Sequence, residues 1–162
     1  MSWAVRRPHP VVQPLVSRYI GDEQTDVTLP VHRGLPSRHV TVSISLQQPV
    51  RVTGRATTLS ARGLVGGLHT EAVLITQDRT QCGIHLELHP LAVRSLFGLS
   101  AAELSGRIVG LDDVDRPTLA QLPDRLASTR AGRIGSVSSM TCWRRRLPNR
   151  SQSPRNSARR GV

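Results

Sequence analysis

One stretch restricts this chain more than any other. Between Val40 and Leu46 the sequence V-T-V-S-I-S-L alternates strictly, with Val40, Val42, Ile44 and Leu46 on one side and Thr41, Ser43 and Ser45 on the other. A period of two belongs to a β-strand with one buried face. The segment leading into it differs in kind. Gly34, Pro36 and Ser37 make a turn flanked by His32, Arg33, Arg38 and His39, so a polar, partly cationic loop feeds a central strand. Two readings of those four residues stay open. They recognise an anionic or polar effector beside a barrel mouth, or they form a solvated loop whose arginines pair with nearby acids.

Further strands follow at short spacing. Val27, Leu29 and Val31 alternate and predict an edge strand that tolerates Pro30. Val50–Val52 and Ala72–Thr76 predict two more, with the polar stretch 53–62 as a loop or edge. Gly66 and Gly67 interrupt an apolar run and predict a bulge or a close backbone approach. His69, just beyond them, is either a pocket-lining polar group or a hydrogen-bonded structural histidine. Residues 83–88, G-I-H-L-E-L, alternate again. That places Ile84, Leu86 and Leu88 inward and His85 and Glu87 on a solvated outer face. Short connections and no long helical pattern between strands argue an antiparallel sheet, curled or closed into a barrel.

The flanks are less regular. Pro8, Pro10 and Pro14 suppress an early helix and leave room for one short helix within 11–19. After His89-Pro90 the pattern turns helical: Leu91, Ala92, Val93, Leu96 and Phe97 fit one short helix closed by Gly98. Ser100 and Glu103 form a capping box, with Leu99 and Leu104 as its hydrophobic staple. Asp112 or Asp113 caps another turn, and Leu119, Leu122 and Leu126 share one helical face. The expected organisation is a lead-in over 1–24, a β-rich core over 25–88, short helices over 89–130 and a disordered, Arg-rich tail over 131–162.

Aromatic residues make up only 2% of the chain, so its core must be built from Val, Leu and Ile. No apolar run approaches the roughly 18 residues of a membrane span, and no signal peptide is visible; a cytoplasmic protein is expected. Cys82 and Cys142 lack metal spacing, and Cys82 reads as a small buried hydrophobe. No phosphate-binding glycine loop and no nucleophile elbow is present, so neither catalysis nor a cofactor is expected. The net charge of +11 suggests nucleic acid, but its distribution qualifies that. Eight of the 22 basic residues, all arginines, follow residue 130, whereas all 11 acids precede it. The tail, with Arg144, Arg145 and Arg146 at its centre, is expected to give at most weak, sequence-blind contact with DNA.

Four segments together carry a resemblance. P-H-P-V-V-Q-P-L-V-S-R-Y (8–19), H-R-G-L-P-S-R-H-V-T-V-S-I-S-L (32–46), L-V-G-G-L-H-T (64–70) and, most specifically, G-I-H-L-E-L-H-P-L-A-V-R-S-L-F-G-L-S-A-A-E-L-S-G-R-I-V-G-L-D-D-V (83–114) resemble the N-terminal domain of AraC-type transcriptional regulators. The resemblance implies an α+β fold, with a β-rich cupin-like barrel or sandwich followed by short helices. It also implies a sensor for an unidentified small-molecule effector, often a homodimer. The family's two helix-turn-helix units are absent, so a truncated regulator without autonomous DNA recognition is expected. His32, Arg33, Arg38, His39 and His69 are the candidate effector contacts. Cupin metal sites carry H-x-H pairs, which this chain lacks, so no metal is expected. The alternatives are a small stand-alone cupin-like metal enzyme using His69, His85 or His89, and a dimerising antagonist of full-length regulators.

Past residue 130 the text loses periodicity. Dropping two bases from codons for the segment S-M-T-C-W-R (139–144) permits Asp-Asp-Val-Leu-Ala, an apolar helical start of the kind the family has there. A frameshifted or truncated gene is therefore expected.

Overall fold

A computed structural model describes residues 2–55 and 57–131. Among these, ten strands form two antiparallel sheets. The first has six: β1 (Ser2–Arg6), β2 (Val16–Gln24), β4 (Val40–Ser45), β7 (Gly63–Gly66), β9 (Gln81–Leu88) and β10 (Ile108–Gly110), in the order β1-β2-β9-β4-β7-β10. The second has four: β3 (Val31–Gly34), β5 (Val50–Thr53), β6 (Thr58–Ala61) and β8 (Val73–Thr76), in the order β3-β8-β5-β6. The chain crosses repeatedly between the sheets, and only Arg62 separates β6 from β7. The β-rich α+β fold expected from the strand pattern is present.

The N-terminal expectation fails. Residues 11–19 hold no α-helix. A single 3-10 turn at Pro10–Val12 gives way to β2, which pairs with β9 from Val16 to Gln24 with one irregularity near Ser17. The prolines end before β2 begins, so they restrict the lead-in and leave the strand untouched. Val27 and Leu29 lie outside any strand, and Leu29 is exposed. The β3 ladder to β8 begins only at Val31, after Pro30. Thr58–Ala61 is the edge strand of the smaller sheet.

The alternation of β4 is as predicted, but its apolar side does not face the second sheet. Val40, Val42 and Ile44 cluster with Val16, Val65 and Leu88 against Val93, Phe97, Leu104, Leu111 and Val114. Those last five come from the segments after β9, including α1 (Ala92–Phe97). The main core therefore lies between the six-stranded sheet and the helical layer. Val40 is fully buried, and Val42, Ile44 and Leu88 are nearly so; Leu46, Ile84 and Leu86 are half-buried. Burial of this kind contributes about 1.5–3 kcal/mol per large aliphatic side chain. α2 (Pro117–Ala120) and α3 (Leu122–Ala131) add Leu119, Leu122 and Leu126 to the same layer.

Local chemistry fixes the helical layer. Gly98 ends α1 in the left-handed region at φ 76°, where a side chain would be strained. Ser100 and Glu103 form the reciprocal bonds of the capping box: the Ser100 N–H donates to Glu103 Oε2 at 2.7 Å, and the Glu103 N–H donates to Ser100 Oγ at 3.3 Å. These bonds hold the Glu103 carboxyl below the usual range. Gly67 is the predicted close approach: a Cβ there would lie 1.7 Å from the Leu104 carbonyl oxygen. Its N–H donates to the Arg107 carbonyl at 3.0 Å, and the Gly106 N–H donates to the Leu68 carbonyl at 2.8 Å.

A smaller apolar cluster lies between the sheets: Val52, Leu64 and Ile108, with Val50, Leu59, Ala61, Val73 and Ile75 packed around them. Among the described residues no helix is long and apolar enough to cross a membrane. The Arg-rich tail lies outside the described residues.

Candidate functional site

Because the apolar side of the six-stranded sheet is spent on the helical layer, its other side must face the second sheet. That side is polar. Register places Asp22 opposite Gly83, Ile20 opposite His85, Ser43 opposite His85, and Gln24 opposite Gln81. Ile20, Asp22, Gln24, Ser43, Ser45, Gln81 and His85 all line a cavity of about 340 Å3 between the sheets. The opposing wall supplies Val50, Val52, Ala61 and Ile75. A second hollow of about 190 Å3 adjoins it and shares Ser43, Val52, Leu64, Ile75 and His85. The two are lobes of one interior space divided at the Ser43–His85 pair.

This overturns the expected place of His85 and Glu87. Neither lies on a solvated sheet face; both belong to the inward row. The alternation was assigned correctly, but which face counted as inside was reversed by the helices that follow.

Three polar groups occupy the inward row in tiers. Near one end Arg18 and Glu87 make a bidentate pair, Nε to Oε2 at 2.6 Å and Nη2 to Oε1 at 2.8 Å, and His39 Nδ1 lies 3.3 Å from the same Oε2. His39 Nε2 also meets Ser17 Oγ at 3.2 Å, and Ser17 reaches the exposed His89 at 3.4 Å. In the middle Ser43 Oγ lies 2.9 Å from His85 Nδ1, and His85 Nε2 lies 3.1 Å from Asp22 Oδ1. At the far end stand Gln24, Gln77 and Gln81, beside the β8–β9 connection.

The middle tier joins a hydroxyl, an imidazole and a carboxylate in one line. Burial alone would raise the Asp22 pKa; the close approach and charge of His85, helped by Gln24, outweigh that and hold it below the usual aspartate range. Ser43 sits on a central strand paired on both sides, to His85 on β9 and Leu64 on β7. Its backbone N–H is thus committed to the sheet ladder and does not provide the oxyanion donor that acyl transfer requires beside a nucleophile. The arrangement is a buried polar relay that can bind and exchange protons.

Asp22, Gln77 and Gln81 are at least nine-tenths buried, at 6%, 9% and 8% exposure. Asp22 Oδ1, Gln77 Oε1 and Gln81 Oε1 nevertheless have no aligned hydrogen-bond donor among the described residues. His85 is within ion-pair reach of Asp22 Oδ1 but off the direction a hydrogen bond needs. An unsatisfied buried acceptor costs about 1–3 kcal/mol.

The sequence-predicted contacts divide. His32 and His69 line the larger and smaller lobes, and His39 joins His69 in the smaller one. Partial burial lowers the pKa of His69, and burial together with the nearby His85 lowers that of His32. Arg33 and Arg38 are exposed and line neither lobe. Ser43 escaped notice, and His85 was read as a solvated strand residue or a ligand of an alternative metal enzyme, because polar strand residues read as solvated when only one layer is considered. Asp22, Gln24 and the strand that carries them were missed because β2 follows a proline-rich lead-in. The available signal was the apolar pattern of 91–126, which demands an apolar sheet face to pack on and leaves only the polar face for the interior. His69, His85 and His89 do not form one set: His89 is exposed and stands edge-on to His39, with ring centroids 6.1 Å apart. Among the described residues no group of three or more His, Cys, Asp or Glu is placed to hold a metal ion.

No family model matches the chain, and no curated protein does. Among solved structures the chain is similar to the Cupin_2 domain of an XRE family transcriptional regulator from Enterobacter cloacae, with a TM-score of 0.38 and 6% identity over 55% of this chain and 97% of that one. The class of molecule is defined by its own strand order: a β-rich α+β domain of two antiparallel sheets enclosing a polar cavity, with a helical layer on the outer face of the larger sheet.

Proposed function

We propose that this chain is a cupin-like, cytoplasmic sensor domain of the AraC type, which binds a small effector between its two sheets and carries out no chemistry on it. One observation carries the reading: the inward face of the six-stranded sheet presents Asp22, Ser43, His85 and Gln81 to an interior cavity, beside only a small apolar cluster. Polar groups in that position lower stability unless a ligand engages them. A cavity of about 340 Å3 falls at the small end of the range for small-molecule sites. The resemblance of residues 8–128 to AraC-type sensor domains supports the regulatory role, and with it homodimer formation and DNA recognition only through a helix-turn-helix partner domain.

A thermal-shift screen of metabolites on the full chain tests this. Effectors should raise the melting temperature of the wild type and lose that effect in Ala61→Phe, which fills the larger lobe. If no compound stabilises the wild type more than the filled variant, the sensor reading is wrong.

A further inference from the structure

We infer that the larger lobe takes a small organic cation, an amine or amidine on a short apolar body, with its charged end against Asp22, Gln77 and Gln81. The inference rests on the sensor reading and names the chemical class of the effector.

The polar end of the lobe carries the argument. Asp22 and Gln81 stand on neighbouring strands, one ladder step apart on the same face, since Asp22 is opposite Gly83 and Gln24 is opposite Gln81. Gln77 directly follows β8, in the connection that leads into β9. All three line the same lobe, Asp22 in its middle tier and the two glutamines beyond it. Each is nine-tenths buried, and each has a side-chain oxygen without an aligned donor. These three oxygens accept, and they call for donors. An ammonium supplies three N–H groups and an amidinium four, and neither has an acceptor to be left over. A hydroxyl brings lone pairs along with its single donor and matches the deficit less well. An amide can present either of its ends, so Asp22 sets the sign: as a carboxylate it only accepts.

The charges around Asp22 agree. Arg62, which lines the lobe, is engaged by Asp124. An alkylamine brings a lasting positive charge to the Asp22 carboxylate. His32, at the same lobe, is biased towards its neutral form. An anionic effector would be repelled by the Asp22 carboxylate.

The remainder of the lobe fits an apolar body. Val50, Val52, Ala61 and Ile75 form the facing wall, and Leu64 adds an apolar side chain beside Ser43. Trp3, 67% exposed, stands at the rim on the edge strand β1. An indole face at the entrance attracts a cation on its way in.

Isothermal titration calorimetry on the full chain, with benzylamine and benzamidine against their neutral counterparts benzyl alcohol and benzamide, tests the class. Each cation should bind at least tenfold more tightly than its neutral counterpart. Asp22→Asn should erase that preference while circular dichroism stays unchanged, and Gln81→Leu should weaken the cations severalfold. Should Asp22→Asn fail to fold, Gln77→Leu and Gln81→Leu together carry the same expectation. Equal binding of cation and neutral counterpart, or a preference that survives Asp22→Asn, overturns the cation class. If only neutral or anionic compounds bind, and Ala61→Phe abolishes that binding, the class is wrong and the sensor reading stands. If nothing binds the wild type, both fall.

Discussion

The two faces of the six-stranded sheet are built from adjacent residues of the same strands and have opposite characters. On the outer face Val40, Val42, Ile44 and Leu88 are buried in one apolar cluster with α1 and the segments after it. On the inner face Thr41, Ser43, Ser45 and His85 border open space. One face provides stability, and the other gives some up. The difference teaches that in a two-sheet domain with an added helical layer, the hydrophobic side of a strand need not mark the inside of the barrel. Marginal stability makes a polar, hollow interior costly, and the outer layer is what offsets it.

Substitutions on the two faces should separate this contrast most sharply. Leu88→Ala should cost about 2–5 kcal/mol, whereas Ser43→Ala, on the inner face, should cost about 1 kcal/mol or less. Urea denaturation monitored by circular dichroism measures both. Equal costs would mean that the inner face is packed as tightly as the outer one and that the hollow does not exist in solution.

A smaller effect concerns pH. The folded-state pKa of Asp22 lies below its unfolded value, so its contribution is fully present above the ordinary aspartate range and is lost as pH falls through that range to the lowered value. Asp22→Asn should therefore flatten the acid limb of the stability profile relative to the wild type. Parallel profiles would show that His85 does not hold Asp22 as a carboxylate. The smallest effect is expected outside both faces: the exposed pair Arg55–Glu71, at 3.2 Å, should be worth well under 1 kcal/mol. Arg55→Ala should leave the denaturation midpoint nearly unchanged; a large loss would reveal an unrecognised core at that edge.

Much of the architecture was legible because it rests on local rules. The alternation of Val40–Leu46, the stop at Gly98, the capping box of Ser100 and Glu103 and the close approach at Gly67 each follow from chemistry within a few residues. The interior was legible only in part. His32, His39 and His69 border the two lobes, and His85 entered only as a ligand of an alternative metal enzyme, but Asp22, Ser43, Gln77 and Gln81 were not anticipated. Period two shows that two faces differ and leaves open which one a third layer will cover. That is decided by contacts between Leu88 and Phe97 or Leu104 and by the pairing of β2 with β9, which brings Asp22 beside Gly83 across sixty intervening residues. The Cβ-free surface of Gly83 leaves room there: a Cβ would meet Asp22 Oδ1 at 3.1 Å.

The wall between the hollow and the helical layer is a single sheet, and Val42 and Ser43 are consecutive residues on its opposite sides. The sheet thus acts mechanically as a diaphragm one backbone thick. Just past β7 it is riveted to the helical layer, through the close approach of Gly67 to Leu104, a hydrogen bond from the Gly67 N–H to the Arg107 carbonyl and one from the Gly106 N–H to the Leu68 carbonyl. A push on Ser43 or His85 from inside has only one peptide plane to cross before it loads Val42, Leu88 and the helices seated on them. The same thinness means that volume added on either side is felt on the other, so that filling the hollow and tightening the outer layer are two ways of tensioning one membrane of hydrogen bonds.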